Sequence, residues 1–402
     1  MSVKTYKLCQ IGDVVTGKTP PTSDKANYGK DFLFISPTEL HSAYIINESK
    51  KMISKKGFDS IKSNTISGKS VLVGCIGWDM GNVGYTEKIC ATNQQINSIT
   101  HIKDFCEPRY LYYWFLTKKK YLFSIASITR TPILSKTVFS EIQVPLPSIE
   151  KQIKITKVLS SLDDKIAINK HILAKIEKVI KSLYDCWFVQ YDFPNENGFP
   201  YKSSGGEMVW CDELKRDIPK GWEIKKLEDL CFKGNVIPFP CNRKTRTVDL
   251  SVMSSNQMFL DHFNSSDNFS TNLFEMKKGD ILFGSIRPYL CKAIIAPCEG
   301  AVAGTVHNIR LLDKNCYNFV ASTICNSRMF EYANSRATGT KMPVVSLDSL
   351  MQYKVSFDKS VVYAFNKVDI VNMFAKKTLE NEKLIAIRNR LLPLLINGQV
   401  DV

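Results

Sequence analysis

The chain has 402 residues, enough for two domains with ordinary cores, and its 44% hydrophobic and 23% charged residues describe a folded chain and exclude a disordered one. No apolar run is long enough to cross a bilayer and Met1 to Gln10 lack the apolar stretch of a signal peptide, which argues against a membrane role and places the chain in the cytoplasm. A formal charge of +15 and a pI near 9.1 point to a polyanionic partner, because clustered Lys and Arg gain affinity by releasing phosphate counterions, although a solvated basic surface has the same composition.

From Met1 to about Pro147, short β-branched runs such as Phe32 to Ile35 and Ser70 to Cys75 are broken by Gly, Pro and Asn clusters, which predicts an irregular sheet domain. One helix is expected from Pro108 to about Ile125, where Tyr110, Leu111, Trp114 and Phe115 make an apolar side suited to core packing. After Val144-Pro145-Leu146-Pro147 comes a segment free of proline and glycine that ends near Phe188. Within it Leu162, Ile166, Asn169, Leu173, Ile176, Ile180, Leu183 and Trp187 alternate steps of four and three, the seam of a coiled coil. Roughly 40 residues at about 1.5 Å each make a rod of about 60 Å.

Tyr191 to Gly221 is turn-rich and reads as a linker, and a second mixed domain runs from Trp222 to about Phe357. A second helix, from about Val361 to Ile396, carries a rougher seam of Phe374, Thr378, Asn381, Ile385, Arg388, Leu392 and Leu395, and Pro393 should end or kink it. The expected organisation is therefore a domain over 1–147, a helical region over 148–190, a linker over 191–221, a second domain over 222–357 and a distal helical region over 358–402. Asn169 and Asn381 hold matching seam positions. Either they meet across an antiparallel helix pair and fix its register, or each faces solvent or a nearby carbonyl.

The two halves repeat one another. Tyr6, Leu8, Ile11 and Asp13 recur as Trp222, Ile224, Leu227 and Asp229 at an offset of 216; Val71 to Gly74 as Ile281 to Gly284 at 210; and Ile133-Leu134-Ser135 as Val344-Val345-Ser346 at 211. So long a period excludes a solenoid and indicates two copies of one domain.

Catalytic patterns are missing. Gly68-Lys69-Ser70 resembles the end of a P-loop, but Ser63 stands where the first glycine is required, and no HExxH, nucleophile elbow or metal-ligand spacing of histidines occurs. The twelve cysteines form no CxxC pair and read as reduced, mostly buried thiols. What remains is a set of loops at equivalent places in the two copies. Gly74, Gly77, Gly81 and Gly84 surround Trp78 and Asn82, and the second copy carries Arg287 and Tyr289 there. Arg287 suits guanine and Asn82 suits adenine, while an equally simple reading makes the glycines hairpin residues and Trp78 a core cap. A second pair of loops holds Thr129 and Arg130 before Lys136, and Arg336, Thr338 and Lys341; a third location holds Gln94 and Gln95, and His307 and Asn308. Hydroxyl, amide and cationic groups of this kind suit phosphate contact and groove entry.

This arrangement resembles the specificity subunit of type I restriction-modification systems over essentially the whole chain. Ile142-Gln143-Val144-Pro145-Leu146-Pro147 with Gln152 is similar to the family's approach to its first conserved helix, Ser182 to Asp192 to its exit, and Ile218-Pro219-Lys220-Gly221-Trp222 to the opening of its second recognition domain. In the second half Val355-Ser356-Phe357 replaces Pro-Leu-Pro, and Gln152 has no obvious counterpart. The resemblance implies an α+β chain with two mixed α/β target recognition domains in pseudo-twofold arrangement, separated by two long antiparallel coiled-coil helices. It also implies that each domain reads half of a gapped site in double-stranded DNA, with the helices as a ruler. The chain itself would be non-catalytic and bind no cofactor or metal. Methyltransferase subunits, usually two, would supply S-adenosylmethionine chemistry on adenine, and restriction and translocase subunits would use ATP and Mg. An autonomous nucleic-acid-binding scaffold and a methylation-only system are the competing readings.

Overall fold

Lys4–Lys7 pairs antiparallel with Gln143–Leu146, closing the first copy of the repeat upon itself. In the computed structural model, which describes residues 3–41, 44–128, 130–234, 237–239, 245–270 and 272–401, the chain divides into two compact units. Met1–Ala167 with Leu384–Val402 form unit 1, and Ile168–Lys383 form unit 2.

Unit 1 has an antiparallel sheet in the order Asp13–Thr16, Ile96–Thr100, Ser70–Gly74, Val83–Thr86. A mixed sheet follows the order Lys51–Ile53, Tyr28–Ile35, Cys90–Thr92, Thr65–Ile66, with Tyr28–Ile35 parallel to Cys90–Thr92. Valines and isoleucines fill both faces of the central strands, so Val71, Val73 and Ile99 are wholly buried against the aromatic side of Pro108–Leu116. That aromatic side, Tyr110 to Phe115, is core, as its spacing predicted. The helix is shorter than the pattern suggested: it stops at Leu116, Thr117 and Lys118 break it, and a separate turn runs Lys119–Ser124. The Thr117 hydroxyl donates to the Trp114 carbonyl at 2.7 Å, a local bond that competes with continuation of the helix.

Unit 2 repeats this plan. Its antiparallel sheet runs Cys231–Lys233, Val306–Leu311, Ile281–Gly284, Ala293–Ile295, and its mixed sheet Asn264–Ser265, Arg246–Val248, Gly300–Ala303, Leu273–Met276, again with the two inner strands parallel. Its closing ribbon pairs Glu223–Lys226 with Lys354–Phe357. The geometry corrects the first sequence match. Leu8 N–H donates to Ile142 and Leu227 N–H to Tyr353 in the same role, so the copies begin at an offset of 219 and not 216.

The first long helix is Ile149–Tyr184 and ends in a π turn, Asp185–Val189. Ile166, Asn169, Leu173 and Ile180 are buried along it as expected, but at its end Tyr184 and Phe188 take the inward places, leaving Leu183 42% exposed. The second helical region is two helices, Lys359–Phe365 and Ile370–Ile396. Asp358 and Asp369 each cap a start, accepting from the N–H groups of Val361 and Asn372 at 2.9 Å, so the interruption is written in side chains that favour caps over helix interiors. Pro393 does not end the second helix, which continues to Ile396.

Within unit 2, Asn169 Nδ2 donates to Asn381 Oδ1 at 2.9 Å, and both residues are buried. Within unit 1, Leu392 and Leu395 pack in one core with Ile155 and Leu159, and Arg388 meets the buried Asp163 at 2.7 Å while Tyr113 donates to the other carboxylate oxygen. The segment expected to be a linker is folded as well. Met208–Cys211 and Arg216–Pro219 form a hairpin over a small core of Tyr191, Phe193, Cys211 and Ile218. Its aromatic residues bury enough surface to hold a shape that turn signals alone do not disclose.

Candidate nucleic-acid interface

The loops singled out in the sequence lie together in each unit because the same backbone bonds tie them. In unit 1, Gly77 N–H donates to the Pro132 carbonyl at 3.0 Å and Leu134 N–H to Cys75 at 2.9 Å. In unit 2, Arg287 N–H donates to Pro343 at 2.7 Å and Val345 N–H to Ser285 at 3.0 Å. Below them, Cys75 N–H reaches Gln95 and Ser285 N–H reaches Thr305; Gly74 reaches Asn82 and Gly284 reaches Lys292. Every one of these pairs recurs at an offset of 210 or 211. The framework also shares its unusual backbone: Gly77 and Gly81 have φ of 103° and 88°, and Arg287 and Cys291, at the same positions of the second copy, have φ of 52°. One scaffold thus carries two different sets of side chains.

In unit 1, Trp78 is 70% exposed, its ring 6.2 Å from that of Phe123, so it does not cap a core. Arg130 and Lys136 are exposed at the neighbouring loop, with no carboxylate partner among the described residues. Thr129 lies outside the described residues. Gln94 is exposed and accepts from Thr19 at 2.8 Å, whereas Gln95 is half-buried and held by Asn93. Asn82 departs from expectation: its amide nitrogen donates to Asp79, its oxygen accepts from Lys119 at 2.8 Å, and His41 lies 3.3 Å away. Lys119, at 2.6 Å from Asp79, holds that carboxyl below the usual carboxylate range. Asn82 is therefore a brace of the loop, with both ends of its amide occupied.

In unit 2, Arg287, Tyr289, Arg336, Thr338 and Lys341 are all exposed and cluster through the Arg287 to Pro343 bond and the Thr338 to Val344 pairing. Arg336 stacks over Tyr332 at 5.4 Å. Two residues must be withdrawn from the interface. Asn308 is 0% exposed on the central strand, donating to the Glu275 carbonyl and to Asp280, which also grips Arg310. His307 is mostly buried with Nε2 on the Val345 carbonyl at 2.8 Å, and burial pushes its pKa down, so it braces the second loop from below.

Among the described residues no group of His, Cys, Asp and Glu could hold a metal, and no helix is long and apolar enough to cross a membrane. Ser70 of the apparent P-loop is buried in a strand, its hydroxyl on Thr100. The sequence left Gln152 without a counterpart in the second half, and the structure supplies one. Gln152, fully buried, accepts from Glu107 N–H and donates to the Phe105 and Pro147 carbonyls. In unit 2, Asn366 does the same work, accepting from Asn318 N–H at 2.9 Å and donating to Lys314 at 3.0 Å. The counterpart is a shorter amide, three or four positions beyond the place that offsets of 210 and 211 assign to it.

Residues 2–178 match the family described as the type I restriction modification DNA specificity domain. The chain is 27% identical to the type I restriction enzyme MjaIX specificity subunit of Methanocaldococcus jannaschii, over 98% of this chain and 93% of that one. It is 37% identical to the HindI specificity subunit of Haemophilus influenzae over 36% of this chain and 31% of the relative. The crystal structure of a type I restriction-modification S subunit from M. genitalium shares the fold, with a TM-score of 0.54 at 14% identity, covering 98% of this chain and 96% of that one.

Proposed function

We propose that this chain is a specificity subunit of the type I restriction-modification kind, which recognises a gapped, two-part DNA site and does no chemistry of its own. The observation that carries the reading is the repeated loop framework: identical backbone bonds at offsets of 210 and 211, bearing Trp78 and Arg130 in one unit and Arg287, Tyr289 and Lys341 in the other. Framework that is copied while its side chains diverge is what two readers of different half-sites require. Phosphate contacts position such loops and base edges specify. Arg287 offers the two parallel donors that fit guanine O6 and N7.

Methyltransferase subunits, two of them, would bring S-adenosylmethionine to adenine, and restriction and translocase subunits would bring ATP and Mg; the specificity chain would choose the site for both. Exchanging residues 74–84 for the corresponding segment of a relative, followed by genome-wide mapping of methylated adenines, tests independent reading. One half of the methylated sequence should change and the other should stay. A change in both halves, or in neither, would sink the proposal.

A further inference from the structure

The folded hairpin Met208–Cys211/Arg216–Pro219 and the helix Ser327–Arg336 border a cleft of about 1220 Å³ in unit 2. Its lining has seven cationic side chains against three carboxylates, an excess of four. Most of that excess is not neutralised within the chain: Lys202, Arg216, Arg328 and Arg336 have no carboxylate partner among the described residues, while Glu213 is taken by Lys354 at 2.8 Å. Asp217 and Glu331 are the remaining acids.

This charge is held in place. Arg216 is half-buried with its guanidinium 5.1 Å from the centre of the Tyr191 ring, and Tyr191 is itself fixed by a 3.0 Å bond between its hydroxyl and that of Ser356. Trp210 stands 60% exposed at the rim, its indole nitrogen on Asp212 at 3.1 Å. Converging cations repel one another unless an anion fills the space between them, and a cleft of this size with this excess of charge suits a chain of phosphates more than one small ion. The cleft is continuous with the reading loops, because Arg336 lines it and stands two residues before Thr338, whose backbone pairs with Val344.

We propose that this cleft is a second, sequence-independent DNA site that grips the phosphodiester backbone beside the half-site read by unit 2. The proposal rests on the DNA-reading function above and adds to it a contact made to phosphate alone. Lys202 and Arg328 are exposed and their side chains make no hydrogen bond among the described residues, so K202Q/R328Q should fold as the parent does.

The experiment uses the full chain with the subunits that co-purify with it. Binding to a duplex bearing its methylated sequence, and to a scrambled duplex, is measured by anisotropy between about 50 and 200 mM salt. Each lost phosphate contact lowers the slope of log K against log salt by about 0.9, so the double variant should be shallower by about 1.8, and K202Q alone by about 0.9, on both duplexes. The ratio of specific to scrambled affinity should not move. An unchanged slope overturns the phosphate site, as would a variant that binds DNA normally but loses a co-purifying subunit, which would make the cleft a protein dock. Failure of base reading would show separately, as a parent protein that does not distinguish the two duplexes.

Discussion

Replacing Arg287 with glycine should stabilise the protein and relax its reading of one base in one half of its site. Arg287 has φ 52° and ψ 62°, and Cys291 φ 52° and ψ 53°, in the left-handed region where the equivalent residues of the first copy are Gly77 and Gly81. A side chain with a Cβ costs about 1–2 kcal/mol in that region. Glycine relieves this but gives back about 0.4–1 kcal/mol through a freer unfolded chain, so R287G should gain about 0.5–1 kcal/mol. The bond from residue 287 N–H to Pro343 is made by backbone and survives the change. Against DNA, loss of a bidentate guanine contact costs about 1–3 kcal/mol, or about 5- to 150-fold in discrimination at one base. Urea unfolding reads the first effect, and competition among duplexes altered in one half-site reads the second. R287A is the comparator, since it removes the guanidinium and keeps the strained backbone. Should R287G prove no more stable than R287A, the loop would not be storing strain; should R287G discriminate at every base of that half-site as the parent does, the guanine assignment would be wrong.

Two further outcomes follow from buried polar groups. N169L should cost about 1–3 kcal/mol in urea, because it removes the donor to Asn381 Oδ1 without removing the acceptor; an unchanged urea midpoint would deny the coupling. His307 has a pKa lowered from 6.5 by burial, outweighing the Val345 carbonyl that favours its charged form, so the unfolded chain takes up the proton first as pH falls. Stability is then complete above 6.5 and is lost as pH falls below that value toward the folded-state pKa, and H307Q, which keeps a donor for Val345, should flatten urea midpoints between about pH 7.5 and 5.5.

The repeat and the paired loops were legible in the sequence because framework residues kept their order at a steady offset. The first match slipped by three because a short strand followed by one helical turn has only generic apolar spacing, and several registers satisfy it. His307 and Asn308 looked like readers on residue type alone. Their strand pairs on both sides, Asp280 holds the amide nitrogen of Asn308, and the Val345 carbonyl holds Nε2 of His307. Asn82 failed as a reader for the same reason, with Lys119 reaching it from 37 positions away. The hairpin over 208–219 did leave a trace, since Tyr191, Phe193, Phe199, Tyr201 and Trp210 are an unusual number of aromatics for a linker. Turn signals outweighed them because they are local, whereas a small core is recognised only once its parts have met.

The membership of unit 1 has a consequence in time. Its core holds Leu392 and Leu395 beside Ile155 and Leu159, so the first unit is completed by residues 384–402, which follow the whole of unit 2, whereas unit 2 is one unbroken stretch. As the chain leaves the ribosome, the second unit can complete its fold while the first still waits for its final helical turns. Domains ordinarily fold in the order of synthesis. Here the unit that is started first is closed second, and Ile155 and Leu159 lack their contacts with Leu392 and Leu395 until the whole of unit 2 has been made.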